Sequence, residues 1–465
     1  MYFKQENLFK FRIYINYICN IVFFLGIIAC FLVAIFAMYK IYNSYSIDGK
    51  LIYYLYILFS FCLAIYFSFF RRLSFLIKVN TVLIILFTFL PLYSYEIYYE
   101  YIHSNAYAAK KLDVVYDSRS NYEFYSDLKK YFSGSNIEVF PNFRSRDLFH
   151  EYIDNDNDQI LPLGGLSNSI TYFTNEAGFF PIIHTDKYGF ANSNNDLYDF
   201  DKLDILLIGD SSTEGYSVMQ SDSYASLLNK KNLSTISLGK SGSGSLVHLA
   251  NLIEYAYLLK PKYVLWIYYD NDIQDLEKEL KIDILKKYLI EDNFNQDLAN
   301  RQYEIDKRVR DYFEKVGATN DTWLKRISAK YESEIKILKL VNLRQNLGLS
   351  NSLNFNEKDD LEDNQLLNEF EKILIKADKL VSNWGGKLYF VYLPDVDSVI
   401  KKEEFKNKKA ILNIAINHNI PFIDLDELIF KKHQDPLDLF PLRKRAHYNT
   451  YANIKIVEKL IEKLR

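Results

Sequence analysis

The sequence predicts an α/β protein: a five-stranded parallel sheet, doubly wound with helices in the flavodoxin-like manner, preceded by about three transmembrane helices. Three observations carry this prediction. The first hundred residues contain long stretches without charge, as membrane spans do. From about residue 200, apolar runs of five or six residues alternate with helix-like segments. Those runs are apolar throughout rather than alternating, as expected of parallel strands buried on both faces.

The anchor comes first. Between Arg12 and Lys40 lie 27 uncharged residues, including the run Ile21 to Met38, and a spanning helix needs only about 20. Leu51 to Phe70 forms a second stretch, and Leu73 to Tyr95 a third, interrupted by Lys78. The first stretch is too long for a signal-peptide core and is followed by further spans, so residues 1–103 are expected to stay as a membrane anchor. Lys4, Lys10 and Arg12 precede the first span, and Arg71, Arg72 and Lys78 lie between the second and third. The positive-inside rule puts both groups in the cytoplasm and the remainder of the chain on the other side, with the anchor in the inner (cytoplasmic) membrane.

The whole chain carries 56 Lys and Arg against 59 Asp and Glu, net −3. No basic field exists to hold nucleic acid. All three cysteines (Cys19, Cys30, Cys62) fall in the spans, so the tail offers no disulfide or thiol chemistry. No histidine cluster has metal-ligand spacing, and no cofactor is expected.

Residues 104–165 are irregular by pattern and read as a linker or packing subdomain. The main domain covers 166–465. Its expected strands are Leu203–Ile208, Leu233–Leu238, Tyr263–Tyr268, Leu388–Leu393 and Ile420–Leu425. Leu249, Leu252, Ile253, Ala256 and Leu259 predict a helix between the second and third, and Ile454, Val457, Ile461 and Leu464 a C-terminal one. The gap before the fourth strand is too long for one crossover, so residues 275–384 are expected to form a helical insertion, a cap over the site or a solvated set of helices.

In an open parallel sheet, ligands bind beyond the carboxyl ends of the strands. The first strand runs into Gly209-Asp210-Ser211-Ser212, which places Ser211 beside a helix N-terminus as a candidate nucleophile. Alone it would read as a helix cap. The second runs into Gly239-Lys240-Ser241-Gly242-Ser243-Gly244; its Gly-Lys-Ser is no phosphate loop, because Ser234 stands where that motif requires glycine. The third ends at Asp270-Asn271-Asp272, and His447 precedes the last helix in Arg445-Ala446-His447-Tyr448-Asn449.

In these four blocks the sequence resembles the SGNH, or GDSL-type, hydrolases over roughly residues 170–465. The resemblance implies Ser211 as nucleophile, His447 as its base, and an oxyanion hole of the Ser211 and Gly242 N–H groups with the Asn271 side-chain amide. The segments Asn175-Glu176-Ala177-Gly178-Phe179 and Asp186 to Asn192 also resemble membrane-anchored members from bacterial exopolysaccharide gene clusters. The family's aspartate three residues before the histidine is replaced by Lys444. Asp435 is then the expected third member of a triad, with Asp438 or a Ser–His dyad as alternatives.

The expected function is a serine esterase or acyltransferase working on acyl groups, acetyl in particular, of an extracytoplasmic polysaccharide. Expected partners are the lipid bilayer, that acylated substrate and membrane proteins of polysaccharide assembly. The alternative is a catalytically idle polysaccharide-binding or assembly subunit, which Lys444 favours.

Overall fold

The computed structural model describes residues 2–43, 47–149, 160–199, 203–319, 327, 329–348 and 363–465. Parts of the expected packing subdomain (150–159, including His150) and of the expected insertion (320–326, 328 and 349–362) lie outside the described residues. The chain forms two compact units, Met1–Ile102 with Glu332–Lys358, and His103–Tyr331 with Asp359–Arg465.

The first unit holds helices α1 (Tyr2–Asn43), α2 (Ile47–Phe70) and α3 (Phe75–His103). Each contains a stretch long and apolar enough to cross a membrane: Phe9–Tyr39, Tyr53–Phe70 and Phe75–His103. Phe23 of α1 is buried with Cys19 and Val82, with Phe67 and Phe70 packed against them. Gly26 permits this approach, since a Cβ there would lie 2.7 Å from the Phe67 ring. Lys78, buried in α3, donates to Asn16 Oδ1 at 3.1 Å and Asn20 Oδ1 at 3.0 Å on α1. The outward faces remain apolar, with Phe31, Leu32, Phe87 and Leu90 all exposed.

The second unit is built on a parallel sheet of β3 (Ile205–Ile208), β4 (Thr235–Ser237), β5 (Tyr263–Tyr269), β6 (Lys387–Leu393) and β7 (Phe422–Asp424), in the order β4-β3-β5-β6-β7. Each lies within or closely overlaps one of the five expected runs. Alternate residues serve opposite faces. Leu206, Ile208, Trp266 and Phe390 enter one buried cluster, and Ile205, Leu207, Leu265 and Val391 another. The helix Thr450–Leu464 closes the second face through Ile456, Val457 and Leu460.

Among the described residues of the expected insertion and its approach, helices Asp272–Glu279, Asp283–Ile290, Gln302–Lys315 and Asp363–Asn383 are not a solvated set: they bury Leu276, Leu285, Val309, Phe370 and Ile373 in the core over the Trp266 face. Their apolar stripes need a partner, and that sheet face supplies it. Residues 104–149 are also less irregular than their pattern. Helix Asn121–Tyr131 starts with a capping box between Ser120 and Glu123, and its Phe124, Tyr125 and Leu128 pack on the antiparallel hairpin β1 (Ile170–Tyr172) and β2 (Ile182–His184).

The segment after this hairpin is fastened to the sheet edge. Buried Asp186 accepts from the N–H groups of Tyr188 and Phe190, each at 2.9 Å, and from the Asn192 amide at 2.6 Å. Asn192 in turn bonds the Ser237 backbone at both its oxygen and its nitrogen, so a side chain stands in for a sixth strand beside β4.

Candidate active site

Because β3 lies between β4 and β5, the residues after these three strands are set side by side along one edge of the sheet. In the loop Gly209–Gly215 every residue is buried except Ser211, and in Gly239–Ser245 every residue except Gly242. Asn271, after β5, is exposed. Thus three of the residues singled out in sequence are the ones that reach solvent at the carboxyl ends of adjacent strands.

The turn carrying Ser211 is made by packing. A Cβ at Gly209 would lie 2.1 Å from Thr213 Oγ1, so only glycine fits there. Ser211 opens a single helical turn, Ser211–Glu214, which Asp210 caps through Ser212 N at 3.0 Å and Gly215 ends at φ +98°. One turn has little macrodipole, so what it offers a negative charge is its local N–H groups. As first residue of the turn, Ser211 has an N–H without an intrahelical acceptor.

Ser211 Oγ is 2.8 Å from His447 Nε2. His447 Nδ1 is 2.8 Å from Glu176 Oε2, and the same oxygen accepts the His447 backbone N–H at 3.1 Å and the Ser217 hydroxyl. A carboxylate facing Nδ1 fixes the proton of the neutral ring there and leaves Nε2 to accept from Ser211. The ring also packs against Tyr216, tilted by 31° with centroids 4.5 Å apart, and Tyr216 stacks on Phe173 at 4.4 Å. Ser211 Oγ has a second acceptor, Asp210 Oδ2 at 3.1 Å, available to its hydroxyl when the imidazole is protonated.

The electrostatics of the pair are coupled. Burial opposes charge on Glu176, yet the His447 ring, the Ser217 hydroxyl and the His447 N–H overcome it and hold the carboxyl below its usual range. For His447, burial again opposes charge, but Glu176, then Asp210 and Glu214, raise the imidazole above its ordinary value.

Asp435 is therefore not the carboxylate at His447. It pairs with Arg443 at 2.5 Å and caps Leu437 N at 3.1 Å, while Asp438 pairs with the same arginine. An exposed guanidinium between the two aspartates engages them before either can turn back to the histidine. Lys444 points elsewhere too, donating to His103 O at 2.5 Å and Asn105 Oδ1 at 2.6 Å.

In the sequence Glu176 stands within Asn175–Phe179 with nothing to mark it as a partner of His447. The loop that presents it, between β1 and β2, is shaped by Asn175, which accepts from Gly178 N and donates to Asp117 O, both at 2.8 Å, and by Gly178 at φ +93°. Tyr216 and Ser217, the latter at φ +64°, carry no sequence signal beyond their place just after the Ser211 turn.

Around the remaining positions, Gly242 has φ +72° and lies under Arg144 and Arg146: a Cβ there would be 2.9 Å from Arg144 Cβ. Ser145 N donates to Ser241 O at 2.8 Å, so the segment 144–146 rests against this loop. Asn271 precedes helix Asp272–Glu279 without capping it; its Nδ2 is 3.4 Å from Asp275 Oδ2. Lys240 is buried, with Nζ 2.8 Å from Glu214 Oε1, and Glu214 Oε2 accepts Ser241 N at 2.8 Å. The Gly-Lys-Ser lysine is thus an internal tie between the two loops. Among the described residues, no group of three or more His, Cys, Asp or Glu side chains could hold a metal ion.

No protein-family model matches this chain, and no curated protein matches it either.

Proposed function

We propose that this chain is a membrane-anchored serine esterase or O-acyltransferase of SGNH type, acting on ester-linked acyl groups, acetyl in particular, of an extracytoplasmic polysaccharide. The observation that carries the reaction class is the unbroken chain Ser211–His447–Glu176, with 2.8 Å at each link to the imidazole. Its strand order, with apolar clusters on both faces, supports reading the sheet as doubly wound and flavodoxin-like. The charge pattern flanking the spans supports an inner-membrane protein with its α/β domain facing the periplasm. The acyl substrate rests on the family resemblance of the four motif blocks.

In this reading Ser211 Oγ attacks the ester carbonyl and its proton passes to His447 Nε2. Negative charge grows on the carbonyl oxygen, where the N–H groups of Ser211 and Gly242 and the Asn271 amide receive it. Glu176 stays ionised and stabilises the imidazolium without taking its proton. His447 then protonates the departing alcohol, which leaves Ser211 acylated. A water or a sugar hydroxyl, deprotonated by His447, attacks the acyl carbonyl, and His447 returns that proton to Ser211 Oγ as the acyl bond to it breaks; water makes the enzyme an esterase and a sugar makes it a transferase. With Glu176 at Nδ1, Lys444 no longer favours the idle-subunit reading.

A fluorophosphonate probe tests this on the full chain in detergent. Labelling lost in Ser211→Ala is the expected result; no labelling of folded wild-type protein refutes it. For topology, a phosphatase fused at Arg465 should be active and a cytoplasmic reporter there silent. The reverse pattern would overturn the three-span arrangement.

A further inference from the structure

Part of the chain between β5 and β6 folds with the membrane helices rather than with the sheet. Two short helices, Glu332–Leu338 and Val341–Asn346, meet at Leu340 with φ +48°. They are fastened to the C-terminal end of α3. Glu96, fully buried, accepts the N–H groups of Asn342 at 2.8 Å and Leu343 at 2.9 Å, and so caps the second helix. Asn342 Nδ2 also donates to Glu100 at 2.8 Å, Asn346 Nδ2 to Tyr95 at 3.0 Å, and Tyr93 to Leu338 O at 3.3 Å.

The position of this clasp along α3 has a physical meaning. At a rise of about 1.5 Å per residue, Tyr95 lies about 26 Å along the helix from Lys78, close to the ~30 Å of a bilayer core. Between them α3 presents exposed Ile84, Phe87 and Leu90. At the clasp it carries Tyr93, Tyr95, Tyr98, Tyr99 and Tyr101, the residue type that collects at a membrane–water interface. The docked helices are too short to be stable in water alone. They nonetheless leave Leu338 68% and Leu347 63% exposed, beside Lys339 and Arg344, while Lys336 pairs with Glu332 at 2.9 Å. Apolar insertion points flanked by basic residues are the composition of a segment lying in the interface.

We propose that Glu332–Gly348 is an interfacial foot, held by Glu96, that lies in the headgroup layer of the bilayer crossed by α1–α3. Leu338 and Leu347 insert among the acyl chains, and the neighbouring basic side chains meet anionic headgroups. This rests on reading α1–α3 as membrane spans. The foot and the spans belong to the same compact unit of the chain.

The test uses the full chain with Cys19, Cys30 and Cys62 replaced by alanine, reconstituted in vesicles of phosphatidylcholine and phosphatidylglycerol. An environment-sensitive fluorophore is attached at Leu338→Cys, Leu347→Cys, the span position Phe87→Cys or the exposed position Tyr303→Cys. Brominated acyl chains should quench the label at 87 strongly, those at 338 and 347 substantially, and that at 303 not at all. Glu96→Ala should abolish quenching at 338 and leave that at 87 unchanged. Labels at 338 and 347 behaving like 303 while 87 is quenched would overturn the foot alone. An unquenched label at 87 would overturn the spans and the foot together. Quenching at 338 that survives Glu96→Ala would overturn the clasp.

Discussion

Glu176 Oε2 and His447 Nδ1 stand 2.8 Å apart although 271 residues separate them in the chain. The carboxylate comes from a hairpin loop outside the parallel sheet, and the histidine from the approach to the last helix. Their contact defines the protonation chemistry of the site, since it sets the tautomer that leaves Nε2 free for Ser211.

Removing that carboxylate is accordingly expected to be costly. Glu176→Gln should lower turnover of p-nitrophenyl acetate by about 10²–10⁴-fold at unchanged folding, because the amide neither fixes the tautomer nor stabilises the imidazolium. Asp435→Asn should leave turnover near the wild-type value, since Asp435 serves Arg443. Equal losses in the two variants would refute the assignment of Glu176.

The same pair predicts a pH profile. His447 must be neutral to accept the Ser211 proton, and its pKa is raised above the ordinary 6.5. Activity, read as kcat/KM, should therefore fall as pH drops through a value above 6.5. Loss of the neighbouring negative charge lowers an imidazole pKa, so the residual activity of Glu176→Gln should have its acid limb moved to lower pH. A limb that does not move would count against coupling between the two residues.

Gly242 is expected to tolerate no side chain. Gly242→Ala combines φ +72° with a Cβ 2.9 Å from Arg144 Cβ, which is too near the backbone to swing away. The strain should cost about 1–3 kcal/mol and displace the N–H assigned to the oxyanion. Thermal midpoint and probe labelling should both fall. Gly134→Ala is the control, with nothing within 4 Å of the new Cβ, and should be silent.

Lys240→Met should destabilise the α/β unit while preserving side-chain length. It leaves Glu214 buried without its cation, a loss of about 3–5 kcal/mol for a pair of this kind. Unfolding of the full chain in detergent should show a midpoint lowered by several degrees. An unchanged midpoint would refute the Lys240–Glu214 pair as a source of stability.

What the sequence by itself determined is whatever depends on neighbours along the chain. Charge-free stretches mark the apolar helices, and unbroken apolar runs mark strands β3 to β7, because span length and burial on both faces are imposed locally. Ser211, Gly242 and Asn271 were legible for the same reason: each follows the end of a recognisable strand, where a parallel sheet exposes its loops. Tertiary structure alone decided the partner of His447, since a carboxylate needs only proximity and several candidates existed; Arg443 engages Asp435 and Asp438, while the turn at Gly178 brings Glu176 to the ring. It also decided the fate of the segment between β5 and β6. An amphipathic stripe specifies that an apolar partner is required but not which one, and here most of its helices take the sheet face while Glu332–Gly348 takes the end of α3.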